Sequence, residues 1–204
     1  MARYRKTAIA ALAASALLLT PTAAYADHNH RGVNASSEDR GMSWGYGDKV
    51  IDYTAIPDPL KWPDVKPDIF QGARASAVMI GMDGRSYFRL RVSGIAATGG
   101  TYGVHLHQGT CDANNPGPPG GAGPHYNVTW APPFSGLGGV VNNTNEVWLD
   151  LEVDPDGDAR SSATVSFIPK GERSIVLHAK GTAADGTAGP RLACMPFNIK
   201  VYGN

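Results

Sequence analysis

Apolar and polar residues alternate in short runs along the chain from residue 73 onward, and this period of two predicts β-strands rather than helices. The alternating runs cover residues 73–82, 86–92, 102–107, 146–153, 163–167, 174–179 and 197–202. Asp83-Gly84 separates the first two runs, and this dipeptide is typical of a tight hairpin turn. The pattern predicts seven or eight strands, which is typical of an all-β antiparallel barrel or sandwich.

The N-terminal residues have the pattern of a secretory signal peptide. Three basic residues precede an apolar stretch over residues 7–19, and Ala24-Tyr25-Ala26 is a small-residue cleavage motif. We predict that residues 1–26 are removed after Ala26 and that the protein is secreted, to the periplasm or the cell exterior. No later stretch approaches the ~20 apolar residues of a membrane span, so none is expected.

Residues 27–72 precede the predicted strands. The polar segment 27–40 is expected to form a flexible tail, and the segment 41–72 an extended arm in which prolines interrupt every candidate helix. The aromatic residues of this arm are expected to pack on the folded domain or on a partner. The β domain itself is expected to span residues 73–204.

The charge balance argues against nucleic acid as a partner. The chain has 18 Lys and Arg and 18 Asp and Glu, and loss of the three basic residues before position 7 leaves a net charge of −3. Such a balance lacks the basic footprint of a nucleic-acid-binding protein. The two cysteines, Cys111 and Cys194, most simply form one disulfide bond in an exported protein.

The histidines are the strongest indication of chemistry. His105 and His107 alternate with apolar residues, so their imidazoles share one face of a strand, roughly 7 Å apart. That spacing suits two ligands of one metal ion, although a solvated strand face has the same pattern. His125 lies in a loop and His178 in another predicted strand.

Four motifs occur in order along the chain: GVHLHQGTC (103–111), AGPHYN (122–127), SIVLHAKG (174–181) and AGPRLAC (188–194). Together they resemble the copper/zinc superoxide dismutase family. The resemblance implies an eight-stranded antiparallel Greek-key β-barrel, an immunoglobulin-like sandwich with long loops. It also implies a Cys111–Cys194 disulfide, an active-site arginine at Arg191, and copper ligands at His105, His107, His125 and His178.

The chain departs from the family at the zinc site. The family has two further His and an Asp after the bridging histidine, whereas no His or Asp occurs between Asn127 and Asn145. We therefore expect one copper ion and no zinc, with the second ring nitrogen of His125 protonated or hydrogen-bonded. Asp185, in the shortened loop before Arg191, is expected to be either an acceptor for a metal-bound histidine or an ordinary loop residue.

The implied function is an exported superoxide dismutase, an enzyme that converts the superoxide anion to O₂ and hydrogen peroxide by Cu(II)/Cu(I) cycling. His125 and Arg191 are the expected catalytic residues, since a guanidinium beside the metal attracts and holds a small anion. The alternative is a non-catalytic copper-binding or carrier protein with the same fold. The sequence leaves the oligomeric state open, with a homodimer as one alternative.

Overall fold

The computed structural model describes residues 42–52, 69–70, 72–96, 99–112, 114, 121–129 and 140–202. The predicted signal peptide and tail, residues 1–40, lie outside these ranges, as does most of the predicted arm. All regular structure within the described ranges is β-structure. No described segment is a helix of the length and apolarity needed to cross a membrane.

The described strands are β1 (Met42–Gly47), β2 (Ile51–Asp52), β3 (Arg74–Met82), β4 (Arg85–Ser93), β5 (Thr101–Tyr102), β6 (Val104–His107), β7 (Leu151–Glu152), β8 (Ala159–Val165), β9 (Gly171–His178) and β10 (Arg191–Tyr202). Seven of them form one antiparallel path in the order β6-β9-β10-β1-β3-β4-β8. The strand β2 pairs with β10, and β5 pairs with β7 in a small second sheet. The predicted all-β class is confirmed.

The β3–β4 hairpin forms as its sequence predicts. Asp83 and Gly84 both have positive φ angles, 52° and 73°, which suit a two-residue turn between twisted strands. The alternate residues Phe88, Leu90 and Val92 of β4 are buried in the core. Period-two alternation therefore sets the inner face of this hairpin, as expected when one face of a sheet covers a core.

The sheet is curled, and the segment 146–153 lies beside its strands β6 and β8. This segment hydrogen-bonds with residues 99–107, through contacts such as Leu149 N to Val104 O and Leu106 N to Val147 O. A turn at 154–158 then leads into β8, against which β7 lies. The alternation predicted for 146–153 is present, although only Leu151–Glu152 is a regular strand.

The strand β1 lies within the segment predicted to be an arm. It pairs with β10 on one side and with β3 on the other, so it occupies the middle of the sheet. Its inward residues are small, and a Cβ atom at Gly45 would lie 2.8 Å from the Phe197 ring. The small residues therefore leave room for large core side chains of the neighbouring strand, while Met42, Trp44 and Tyr46 point outward and are exposed.

Candidate metal centre

Four histidines lie together at the edge of the sheet where β6 pairs with β9. His105 and His107 belong to β6, and His178 ends β9, whose Val176 is the register partner of His105. His125 lies on the loop that follows the disulfide and forms a single β-bridge with His107. His105 and His107 have no exposed surface, because loops cover the face of β6 that is opposite the core.

The four imidazoles present one nitrogen each to a common centre. These atoms all lie within 4.8 Å of one another. His105 Nδ1 is 2.9 Å from His125 Nε2, and His107 Nε2 is 3.3 Å from His178 Nε2. Metal–nitrogen bonds are about 2 Å long, so neighbouring ligand nitrogens of one ion are about 3 Å apart and opposite ones about 4 Å apart. The cluster therefore has the dimensions of a mononuclear metal site.

The hydrogen bonds of His105 determine which of its nitrogens faces this centre with a lone pair. Thr182 Oγ1 lies 2.6 Å from Asp150 Oδ1 and 2.8 Å from His105 Nε2. A carboxylate only accepts, so the threonine hydroxyl donates its single proton to Asp150 and accepts from His105 Nε2–H. A neutral imidazole carries one proton, and the lone pair of His105 is therefore on Nδ1.

The other three histidines are oriented in the same way by acceptors outside the cluster. His107 Nδ1 donates to Gly123 O at 2.9 Å, and His178 Nδ1 donates to Gly189 O at 2.9 Å. His125 Nδ1 donates to the Glu146 carboxylate at 3.1 Å. Each of these rings thus keeps its Nε2 lone pair for the centre. Facing lone pairs repel one another unless a cation lies between them, and the cluster is therefore suited to bind a metal ion.

Burial and crowding keep these rings in the neutral form that binds metals. The pKa of His178 is lowered to about 4, mainly by burial and to a smaller extent by the nearby His125 and Arg191, while its hydrogen bond to Gly189 acts in the opposite direction. Burial, followed by the proximity of His125 and His178, holds the pKa values of His105 and His107 far below the usual range. At neutral pH these three imidazoles need no deprotonation before binding a metal.

Glu146 is a buried carboxylate that sequence reasoning missed. It is 1% exposed and accepts hydrogen bonds from His125 Nδ1, Trp148 Nε1 and Asn127 Nδ2. Burial raises its pKa, but these donors outweigh burial and the pKa is lowered overall. Glu146 is thus ionised at neutral pH. Its negative charge holds the Nδ1 proton of His125, on the side of the ring where the two-metal family has zinc.

Asp150 is the second acceptor that was missed. Its carboxylate accepts from Thr182 Oγ1 and N and from Val104 N, and so links the covering loop to β6. Asp185, which the sequence left with two alternative roles, is exposed and accepts only from Thr187 among the described contacts. The signal for Glu146 and Asp150 is the alternation of 146–153, which puts both on the strand face opposite the core.

Arg191 lies beside the cluster at the start of β10, paired in register with His178. One guanidinium nitrogen donates to Gly123 O at 2.5 Å, the same carbonyl that accepts from His107. Its positive charge contributes to the lowered pKa values of His107 and His178. The arginine is therefore fixed close to the imidazoles and adds positive charge to their surroundings.

The predicted disulfide between Cys111 and Cys194 is confirmed, with sulfur atoms 2.02 Å apart. It joins the loop after β6 to β10, three residues beyond Arg191. The loop returns against β6 through hydrogen bonds from Gly109 N to Ala122 O and from Gln108 N to Pro124 O. The disulfide and these bonds together hold His125 and Gly123 close to the other three histidines of the cluster.

The candidate centre thus combines four clustered histidines, an adjacent arginine, a buried glutamate and a disulfide on an all-β fold. This arrangement is compatible with the fold of the copper/zinc superoxide dismutases. Among the described residues, no other group of three or more His, Cys, Asp or Glu side chains has metal-site geometry. No protein-family model matches the chain, and no curated protein matches it.

Proposed function

We propose that the protein is a copper-dependent superoxide dismutase with one copper ion and no zinc, on a Greek-key barrel of the superoxide dismutase type. The observation that carries this proposal is the convergence of four imidazole lone pairs within 4.8 Å. Imidazole suits both Cu(II) and Cu(I), whereas Mg²⁺, Ca²⁺ and Mn²⁺ favour oxygen ligands. His105, His107, His125 and His178 would hold the copper.

The absence of zinc rests on the ligand inventory of the chain. The only histidines outside the cluster are His28 and His30, in the predicted tail. The nitrogen of His125 that binds zinc in the two-metal family here donates to Glu146 at 3.1 Å. A carboxylate that accepts this proton takes over the orienting role of a second cation, because it fixes the ring and keeps the other nitrogen aimed at the centre.

Copper bound at the cluster supplies the alternate one-electron oxidation and reduction that convert two superoxide anions to O₂ and hydrogen peroxide. Arg191 binds and positions the anion, since its planar guanidinium is held in place by Gly123 O. Its charge also concentrates superoxide near the site. His125, whose side chain is 19% exposed, holds a proton at Nδ1 that it donates to Glu146.

The proposal is tested by loading the metal-free protein with one equivalent of copper and measuring superoxide decay by pulse radiolysis. We expect catalytic decay with the parent protein and a lower rate for Arg191→Ala with unchanged copper content. Arg191→Lys is the matched control, because it retains the charge but loses the planar guanidinium. A parent rate no higher than that of a simple copper–peptide complex would contradict the enzymatic proposal.

The alternative, a non-catalytic copper carrier, shares the ligands and predicts a different outcome. A carrier would bind copper and release it to a second chelator, and neither property would depend on Arg191. The position of Arg191 beside His107 and His178 favours the enzyme, because a fixed positive charge next to the site can attract an anionic substrate, whereas copper binding by a carrier does not require it.

A further inference from the structure

The outward face of β1, β3 and β4 carries a contiguous group of exposed apolar side chains. The register aligns Trp44 with Ile80 and Ile80 with Tyr87, and it aligns Tyr46 with Val78. The largest exposed members of this apolar block are Met42, Trp44, Tyr46, Ile80, Met82 and Tyr87, each between 41% and 60% exposed. Trp44 and Tyr46 stack with ring centroids 5.8 Å apart and planes inclined by 5°.

Cations surround this apolar block on the same face. Arg91 on β4 lies directly opposite Arg160 on β8, and Arg89 lies two residues before Arg91 on the same face of β4. Like charges in directly opposite positions destabilise a sheet. Arg85, Arg89 and Lys200 are register partners of Met82, Val78 and Trp44, and Arg74, Arg91 and Arg160 lie farther along the same face.

Acidic residues are missing from the strands that form this face. The described strands β1, β3, β4 and β8 contain no Asp or Glu at any position. The strand-borne carboxylates nearby are Asp52 on β2, Glu152 on β7 and Glu172 on β9, all outside these four strands. Asp48 follows β1 and accepts from Tyr46, and Asp83 lies in the β3–β4 turn. The chain as a whole has as many acidic as basic residues, so this separation of charge is a local property of the face.

We propose that this face docks on the surface of an anionic lipid bilayer. Trp and Tyr are enriched at the level of lipid headgroups, because their rings have an apolar body and a polar edge. Exposed Met and Ile side chains gain by transfer into the acyl boundary, while Arg and Lys pair with phosphates and extend toward them. The face presents both kinds of side chain side by side on neighbouring strands.

Other occupants fit these observations less well. A two-fold pairing of this face with that of a second copy would bring two sets of cations into one interface, with no Asp or Glu on β1, β3, β4 or β8 to pair with them. A linear polyanion would be held by the cations and would leave Ile80 and Met82 in water.

The test is co-sedimentation of the processed chain, recovered after export, with vesicles of stated composition. Equal parts of phosphatidylglycerol and phosphatidylcholine provide the anionic surface, and pure phosphatidylcholine provides the neutral one. We expect binding to the anionic vesicles that weakens with salt, and much weaker binding to the neutral vesicles. Equal binding to both, or binding to neither, would overturn the proposal.

Two variants assign the binding to the face. Arg91→Gln with Arg160→Gln removes two charges, and at roughly fivefold per cation we expect about 30-fold weaker partitioning. Ile80→Ser with Met82→Ser is expected to weaken binding about tenfold while the salt dependence remains. The control, Asn143→Glu with Ala184→Glu, changes the net charge by the same −2 at exposed loop positions outside these strands.

The outcomes separate the possible partners. If the control loses binding as much as the double arginine variant does, net charge alone is responsible and the proposed docking face is wrong. If the vesicles fail but an acidic protein or a soluble polyanion binds in a manner that depends on Arg91 and Arg160, the lipid surface is likewise refuted. Retention of the parent copper content in each variant shows that the fold is intact.

Discussion

Acid should destabilise the metal-free protein because three of its histidines are buried in the neutral form. His105, His107 and His178 all have lowered pKa values, that of His178 to about 4. In the unfolded chain each of these side chains has a pKa of about 6.5. Between pH 7.5 and pH 5 the unfolded state therefore takes up protons that the folded state does not. The free energy of unfolding must fall as the pH falls through this window.

The magnitude follows from the proton uptake of each histidine. At pH 5 a group with an unfolded pKa of ~6.5 and no protonation in the folded state contributes about 2 kcal/mol to destabilisation. The three histidines together contribute about 6 kcal/mol, which is comparable with the ~5–15 kcal/mol stability of a typical domain. Glu146 does not contribute here, because its lowered pKa removes stability only below its unfolded value of 4.5.

Urea titrations of chelator-treated protein at several pH values between 7.5 and 5 measure this change. His107→Gln is the control variant, since it removes one of the three depressed groups. We expect the loss of stability to fall from about 6 to about 4 kcal/mol in that variant, whatever its stability at neutral pH. A free energy of unfolding that is constant to within about 1 kcal/mol across the window would refute the buried, neutral state of the cluster.

The remaining predictions concern groups that hold the site. Replacing Cys111 and Cys194 by serine should cost about 4–5 kcal/mol of stability in denaturant titrations, since the disulfide spans 83 positions; a loss below about 1 kcal/mol would contradict this. Glu146→Gln should cost about 3 kcal/mol by the same measurement, because three hydrogen bonds lose a charged acceptor, and an unchanged stability would contradict the contacts described. Thr182→Val should weaken copper affinity about tenfold in a chelator competition, whereas Thr182→Ser should retain the affinity of the parent protein. Equal affinities of the valine and serine variants would contradict the role of the hydroxyl in orienting His105.

Alternation of apolar and polar residues predicted the strands whose inner face is apolar. Phe88, Leu90 and Val92 are buried, and so are Val147, Leu149 and Leu151. These residues obey the rule on which the prediction rests, because one face of each strand covers the core.

The strand β1 was not predicted, and its pattern is the reverse of the usual one. Its inward residues are Ser43, Gly45 and Gly47, and its outward residues are Met42, Trp44 and Tyr46. Neighbours on β10, such as Phe197 beside Gly45 and the backbone oxygen of Pro196 beside Gly47, require the small inner residues, and no single-sequence pattern reports a neighbour in space. The prolines later in the same segment led to its assignment to an arm.

The four histidines and the disulfide were predictable because motifs in order along the chain identified them together. Glu146, Asp150 and Thr182 were not, since each acts through a partner distant in sequence, as in the pair Glu146 and His125. The strand face shared by Glu146 and Asp150 was visible in the sequence, but the pairing of 146–153 with β6 was not. A carboxylate on a strand is usually solvated, and only burial distinguishes Glu146 from such a residue.

The central claim is that four imidazoles bind a single copper ion. Electron paramagnetic resonance of ¹⁵N-histidine-labelled protein, loaded with increasing Cu(II), measures both the number of ions and the coupled imidazole nitrogens. We expect one copper signal that saturates at one equivalent, with couplings to four directly bound nitrogens that are reduced in number by His178→Gln. A signal from two nitrogens, or one that is unchanged by His178→Gln, would contradict the claim.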